Sequence, residues 1–420
     1  MKYNKTLICA AAVLLTLVMG TAAAQDLSPE EQLGRKLFFD EDLSTPEGQS
    51  CATCHDPEWG FTGPDSDINN AGAVYPGAIH TRFGNRKPPT SAYGGDSPVL
   101  DYNFNDNVFI GGMFWDGRAT GWTLEDPLAE QAMGPFLNPL EQNNKNKKVV
   151  CIKVRNSDYA ELFEDVWGDC SLDCNNDVEG TYERIARSIA AYERSIEVNP
   201  FSSKYDAYLD GVDLTEQEAI GLVLFEASNN NDGIKDDGEG GNCAACHPSG
   251  IGEFNDNPMF TDFTYDNLGI PKNPENPFYS MAPRWNPDRK NWVDYGLGGF
   301  LETTDAYSAF AEVNMGKHKV PTLRNVDKRP DEDDVDEGDV VKAYGHNGYF
   351  KSLKDIVHFY NTRDVLDICE EISDPSPGVN CWPAPEVSEN VNMDELGDLG
   401  LTDAEEDAIV LFMTTLSDVP

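Results

Sequence analysis

One pattern occurs twice in this chain, and it limits the fold more than any other feature. Leu27-Ser28-Pro29-Glu30-Glu31-Gln32-Leu33-Gly34-Arg35-Lys36-Leu37-Phe38 precedes Cys51-Ala52-Thr53-Cys54-His55. Leu214-Thr215-Glu216-Gln217-Glu218-Ala219-Ile220-Gly221-Leu222-Val223-Leu224-Phe225 precedes Cys243-Ala244-Ala245-Cys246-His247. The two upstream stretches align without a gap. Each opens on a capping box, Ser28 with Glu31 and Thr215 with Glu218. Each continues with an apolar stripe at helical spacing, Leu33/Leu37 and Ile220/Leu224. The loop from helix to motif is five residues longer in the second copy, within the polar, Gly-rich stretch 229–241. A repeat of this kind in 420 residues predicts two related domains in tandem.

Helical periodicity recurs elsewhere. Tyr182, Ile185, Ile189, Tyr192 and Ile196 form one stripe, which Asn199-Pro200 ends. Leu353, Ile356, Val357 and Tyr360 form a second. Ile409, Phe412, Met413 and Leu416 form a third behind the capping box Thr402…Glu405. Strand-type alternation is scarce, and the remainder is rich in Gly, Pro, Asn and Asp. The expected architecture is mainly α with long ordered loops. The domains fall at 25–200 and 201–420, with the acidic run Asp331–Asp339 as an exposed insertion. Lys2 and Lys5, the apolar stretch Thr6–Met19 and Ala22-Ala23-Ala24 predict a signal peptide over 1–24, cleaved after Ala24. The apolar stretch is shorter than the roughly 20 residues that span a bilayer, and no stop-transfer pattern follows it. An exported protein without membrane insertion is expected, most simply periplasmic.

Cys-x-x-Cys-His carries the chemistry. Two thiols at this spacing reach the two vinyl groups of one porphyrin, and the adjacent histidine lies under the iron. Cys51, Cys54 and His55 therefore predict one covalent haem c, and Cys243, Cys246 and His247 a second. A redox Cys-x-x-Cys pair needs no following histidine. A Cys₄ zinc site would have to join two motifs far apart in the chain. Cys369–Cys381 is the expected disulfide on proximity. Cys151 pairs with Cys170 or Cys174, and one cysteine is left over.

Each iron has a sixth position to explain, because an open site does chemistry and a closed one transfers electrons. His80, in a Gly- and Arg-rich loop after the first motif, is either a distal ligand of the first haem or a loop histidine. For the second haem, Tyr360 lies on a core-facing helical stripe, and Met315 is the alternative. His358 points off that stripe. The Asp232–Glu239 stretch has the composition of a calcium loop without its ligand spacing, so a solvated loop is expected. Charge narrows the partners. With 31 Lys+Arg against 74 Asp+Glu, nucleic acid and anionic lipid are excluded, and a basic protein partner is favoured.

Beyond the tandem motifs, four runs carry a resemblance. They are Phe114-Trp115-Asp116-Gly117-Arg118, the segment Gln131–Glu141, Val320-Pro321-Thr322-Leu323-Arg324-Asn325-Val326, and Gly345-His346-Asn347-Gly348 followed by Leu353–Val357. Over nearly the whole chain the sequence resembles the bacterial di-haem cytochrome c peroxidases and their MauG-type relatives. The resemblance implies two cytochrome-c-like domains with one haem c each, the N-terminal haem being peroxidatic. It implies that Trp115 lies between the haems and that Gln131, Pro135 and Glu141 line the distal pocket. Glu141 would then move the peroxide proton. Tyr360 stands where most peroxidases of the family carry a methionine, which is the MauG-type pattern. An anionic oxygen ligand lowers the iron potential where a thioether raises it. The family's inter-domain calcium is held by an asparagine after Gly-x-Arg, whereas Gly84-Asn85-Arg86 is followed here by Lys87. The expected function is reduction of hydrogen peroxide with electrons from a small cytochrome c or cupredoxin. The alternatives are MauG-type oxidation of a residue on a protein substrate, and plain electron transfer. A homodimer is expected by analogy only.

Overall fold

The computed structural model describes residues 26–330 and 340–419. The expected signal peptide and the acidic run Asp331–Asp339 lie outside them. Eleven α-helices occur among the described residues. The first seven are α1 Pro29–Phe39, α2 Ser66–Asn70, α3 Pro127–Leu137, α4 Lys147–Arg155, α5 Ala160–Trp167, α6 Val178–Glu193 and α7 Lys204–Leu209. They are followed by α8 Glu216–Glu226, α9 Gly296–Leu301, α10 Leu353–Thr362 and α11 Asp403–Thr414. Six short strands pair into three two-stranded ladders: β1 Asp101–Asn103 with β2 Val108–Ile110, β3 Tyr265–Asp266 with β4 His318–Lys319, and β5 Asp367–Ile368 with β6 Cys381–Trp382.

The repeated sequence folds into a repeated structure. Ser28 Oγ accepts from Glu31 N at 3.3 Å, while Ser28 N donates to the Glu31 carboxylate at 2.6 Å. Thr215 and Glu218 make the same reciprocal pair at the start of α8. Each box satisfies two of the N–H groups that a helix start leaves unpaired. α1 then crosses α6, and α8 crosses α11. At the first crossing Gly34 lies on the Ser188 carbonyl and the Tyr192 Cβ. At the second, Gly221 lies on the Ala408 carbonyl and the Phe412 Cβ. Neither crossing has room for a methyl group. The close approach buries Leu33, Leu37, Phe38, Ile185, Ile189 and Tyr192 in one core. It buries Phe225, Leu353, Phe359, Ile409, Phe412 and Leu416 in the other.

The two copies differ on one flank. Leu33 is fully buried, but its counterpart Ile220 is 42% exposed. α5 packs on the outer side of α1, and among the described residues no helix does so for α8. The expected stripe through Ile220 is therefore displaced, and α8 buries Gly221, Leu222, Leu224 and Phe225 instead. Ile196 is likewise exposed and lies beyond α6, which ends at Glu193. The Asn199 side chain stops that helix by donating to the Glu193 and Ser195 carbonyls at 2.8 and 3.3 Å. Cys151 pairs with Cys174 and Cys369 with Cys381, and Cys170 is the free, exposed thiol.

The crossings generate a sharp expectation. Gly34→Ala and Gly221→Ala should each destabilise the protein by about 1–3 kcal/mol or more, because the carbonyl met by the new methyl cannot retreat. Gly250→Ala, in open space, should be near neutral. Thermal unfolding of the three variants checks this.

Candidate active site

Each Cys-x-x-Cys-His segment closes into a tight turn. His55 N donates to Cys51 O at 3.0 Å, and His247 N donates to Cys243 O at 2.9 Å. Both rings are oriented by a carbonyl. His55 Nδ1 lies 3.1 Å from Phe61 O, and His247 Nδ1 lies 2.8 Å from Phe260 O. A ring that donates from Nδ1 keeps its lone pair on Nε2. Burial pushes both imidazoles down to about 4, so both stay neutral at pH 7. The four motif cysteines are free thiols in a chain that closes two disulfides elsewhere. Burial pushes Cys54 and Cys243 up to about 12.

A second internal repeat frames the rings. Thr62 Oγ1 donates to Pro88 O at 2.8 Å, and Thr261 Oγ1 donates to Val320 O at 2.7 Å. Thr90 Oγ1 donates to Gly60 O at 2.7 Å, and Thr322 Oγ1 to Met259 O at 2.6 Å. The carbonyls of Pro89 and Pro321 also face the two histidines. Trp115 joins these two frames. Its indole N–H donates to Lys87 O at 2.9 Å, and its carbonyl accepts from Lys319 N at 2.9 Å. Each lysine is two residues before the proline at a motif histidine, so Trp115 is tied by one bond to each side.

One large cavity holds the second motif. Cys243, Cys246 and His247 form one wall, Leu353, Val357 and Tyr360 of α10 face into the same cavity, and it runs on to Trp115. The Tyr360 hydroxyl makes no hydrogen bond among the described residues, and burial raises its pKa. An apolar slot bearing two thiols, a neutral imidazole and an unpaired phenol fits a covalent haem. Met315 lies outside this lining and packs with Leu297 and Leu301. His358 is turned to Glu406, with Nδ1 at 2.9 Å from Oε1.

Near the first motif, α3 packs on the core that also holds Cys51. Gln131 and Pro135 are one turn apart on α3 and so share a face. Glu141 follows in a turn held by Asn138 Nδ2, which donates to Glu141 Oε1 at 2.8 Å. Burial raises the Glu141 carboxyl, with Arg118 and Asn138 opposing. Its charge in turn raises the Cys51 and Cys54 thiols, which puts it beside the motif. Arg118, three residues beyond Trp115, stacks on Phe114 at 3.8 Å, and its charge opposes the rise that burial gives the Glu141 carboxyl. His80 is exposed on a turn. That turn is pinned to the Glu141 segment by Ala78 N, which donates to Glu141 O at 2.9 Å, and by Arg82, which donates to Pro139 O and Asn143 Oδ1.

Sequence reasoning missed a buried charged cluster near Trp115. Arg86 holds both oxygens of Asp294 at 2.6 Å and Asp116 Oδ2 at 2.6 Å. His318 stacks on His346 at 3.6 Å with the rings 9° from parallel. Asp294, His318 and His346 bring three donor atoms close together. Arg86 already engages both Asp294 oxygens, so the carboxylate of this set is paired with a guanidinium. The paired frames were visible in the sequence as Lys87-x-Pro89-Thr90 and Lys319-x-Pro321-Thr322. The histidine stack left no sequence signal, because its members come from separate segments.

The family model described as di-haem cytochrome c peroxidase matches residues 28–213. The methylamine utilization protein MauG of Paracoccus denitrificans is 32% identical, over 97% of this chain and 94% of that protein. Cytochrome-c peroxidase IdrP2 of Denitromonas iodatirespirans is 26% identical, over 98% of this chain and 91% of that protein. The crystal structure of the diheme peroxidase BthA from Burkholderia thailandensis superposes with a TM-score of 0.72 at 30% identity, covering 95% of this chain and 88% of that one. Two covalently bound haem c groups and oxidoreductase chemistry on peroxide come with that kinship, and the chain belongs to the di-haem cytochrome c peroxidase and MauG family.

Proposed function

We propose that this protein reduces hydrogen peroxide to water with electrons from a small exported electron carrier. The observation that carries the proposal is Glu141, a buried carboxyl beside the first motif with its pKa raised. Haem supplies the redox chemistry that breaks the O–O bond, and His55 would hold the iron at which peroxide binds. Glu141 takes the proton from the inner oxygen and returns it to the departing one, so that water leaves. Gln131 and Pro135 shape the same pocket. His247 and Tyr360 would hold the second iron, and Trp115 carries electrons between the two sides. The exposed His80 is consistent with an open coordination position at the first iron, which plain electron transfer does not need.

The domain reading follows the same lines: residues 25–200 around the first haem and 201–420 around the second, the whole exported after loss of 1–24. No helix among the described residues is long and apolar enough to cross a membrane. The acidic surface suits a donor with a basic face. A second reading, oxidation of a residue on a partner protein, draws on Tyr360, because an oxygen ligand lowers the potential of the second haem and disfavours a simple electron-accepting role.

Three outcomes are expected. Glu141→Gln should retain both haems and lose about 10²-fold or more in peroxidase rate in a stopped-flow assay. Glu141 must be ionised to accept the proton. Its raised pKa therefore places the acid limb of the wild-type pH–rate profile above the ordinary carboxylate range, and that limb should vanish in Glu141→Gln. Tyr360→Met should keep the haem stoichiometry and raise the second haem's potential in a redox titration. To separate the two readings, the spectrum is followed after one equivalent of peroxide. Rapid return with oxidation of a reduced small cytochrome c supports peroxide reduction. A state that persists beside that cytochrome and disappears only with a modified partner protein supports the second reading.

A further inference from the structure

Position 87, where the family resemblance expects an asparagine ligand of an inter-domain calcium, carries a buried lysine, 9% exposed. Its ammonium donates to Thr62 Oγ1 and to Pro88 O, both at 3.1 Å. A second buried lysine stands nearby. Lys342 is 4% exposed; burial, and after it the charge of Lys87, hold its ammonium well below the usual lysine range. The Lys342 ammonium donates to Trp59 O at 3.0 Å, Asn325 O at 2.9 Å and Lys328 O at 3.0 Å. All three of its N–H donors have a carbonyl acceptor, so it is fully satisfied without water.

Two features make this more than a pair of core lysines. The carbonyl cage of Lys342 draws one oxygen from the first half of the chain, at Trp59, and two from the second half, at Asn325 and Lys328. It therefore ties the halves together. In addition, Lys87 N donates to His346 O at 3.0 Å, and Lys87 O accepts the Trp115 indole at 2.9 Å. Lys87 thus sits on a segment bonded to Trp115 on one side and to the second half of the chain, at His346, on the other.

A calcium ion has no place here. It requires six to eight oxygens at 2.3–2.6 Å. Position 87 offers an ammonium in place of an amide oxygen. A divalent ion bound at position 87 would meet the Lys87 ammonium in a poorly screened interior. We propose that the Lys87 ammonium stands in place of the bridging calcium, while the carbonyl cage of Lys342 and the Lys87 backbone bond to His346 tie the two halves, so that they need no metal for their mutual fit.

The test uses the holoprotein. Calcium per chain is measured by plasma mass spectrometry after dialysis against a chelator, and unfolding temperature and peroxidase rate are measured with chelator and with millimolar calcium. Calcium well below one per chain, with neither quantity moved by chelator or calcium, is expected. One calcium retained per chain, or activity lost on chelation and restored by calcium, overturns the proposal. This arm needs no variant and reads metal content independently of the reaction catalysed. In the second arm, Lys342→Ala empties the carbonyl cage. It should lower the unfolding temperature by on the order of 5 °C, and ammonium chloride should recover part of that loss where equimolar sodium chloride does not. Equal behaviour in the two salts removes Lys342 from the role of bridging cation.

Discussion

Two helix crossings closer than a side chain allows carry the rest of this molecule. At Gly34 and at Gly221 one helix rests directly on a carbonyl of its partner. That contact fixes the depth and angle of α1 on α6 and of α8 on α11. Each Cys-x-x-Cys-His turn hangs from the first helix of such a pair. The crossing therefore decides where two thiols and an imidazole stand relative to an apolar core. A methyl group at either glycine would move the whole turn, not one side chain. Dense interiors transmit such shifts instead of absorbing them.

From that base, hydrogen bonds settle the chemistry. The carbonyls of Phe61 and Phe260 orient the two histidines and leave Nε2 free. Thr62 and Thr261 hold the segments that pass behind those rings. Trp115 is bonded to both segments, which makes it a direct hydrogen-bonded link between them. The charge of Arg118, three residues beyond Trp115, also acts on the buried Glu141 carboxyl beside the first motif.

The buried positive charge around this centre is notable in so acidic a chain. Arg86, Lys87 and Lys342 are held inside by carboxylates, hydroxyls and carbonyls. Burying an ammonium costs desolvation and side-chain ordering, offset here by the hydrogen bonds to hydroxyl and carbonyl oxygens, whereas a free ion must also be captured from solution and can be lost. The acidic residues lie largely outside, where water screens them. Their field acts on partners and not on the fold.

Much of the site was legible because its signals are local. The two Cys-x-x-Cys-His motifs, the capping boxes and the stripe Leu353/Ile356/Val357/Tyr360 depend on residues close in the chain, and local spacing determines what they can do. Where neighbours decide, the sequence was mute or misleading. Ile220 matches Leu33 in the repeat, yet one is exposed and the other buried, because a third helix covers only the first copy. Ile196 continues a helical stripe that Asn199 cuts short with its side chain. Cys151 had two possible partners until the fold brought Cys174 to it. Local sequence alone was enough for the repeat and the haem-attachment chemistry. Only the tertiary structure decided how Trp115, Glu141, Lys87 and Lys342 converge, because those contacts join segments that no local periodicity links.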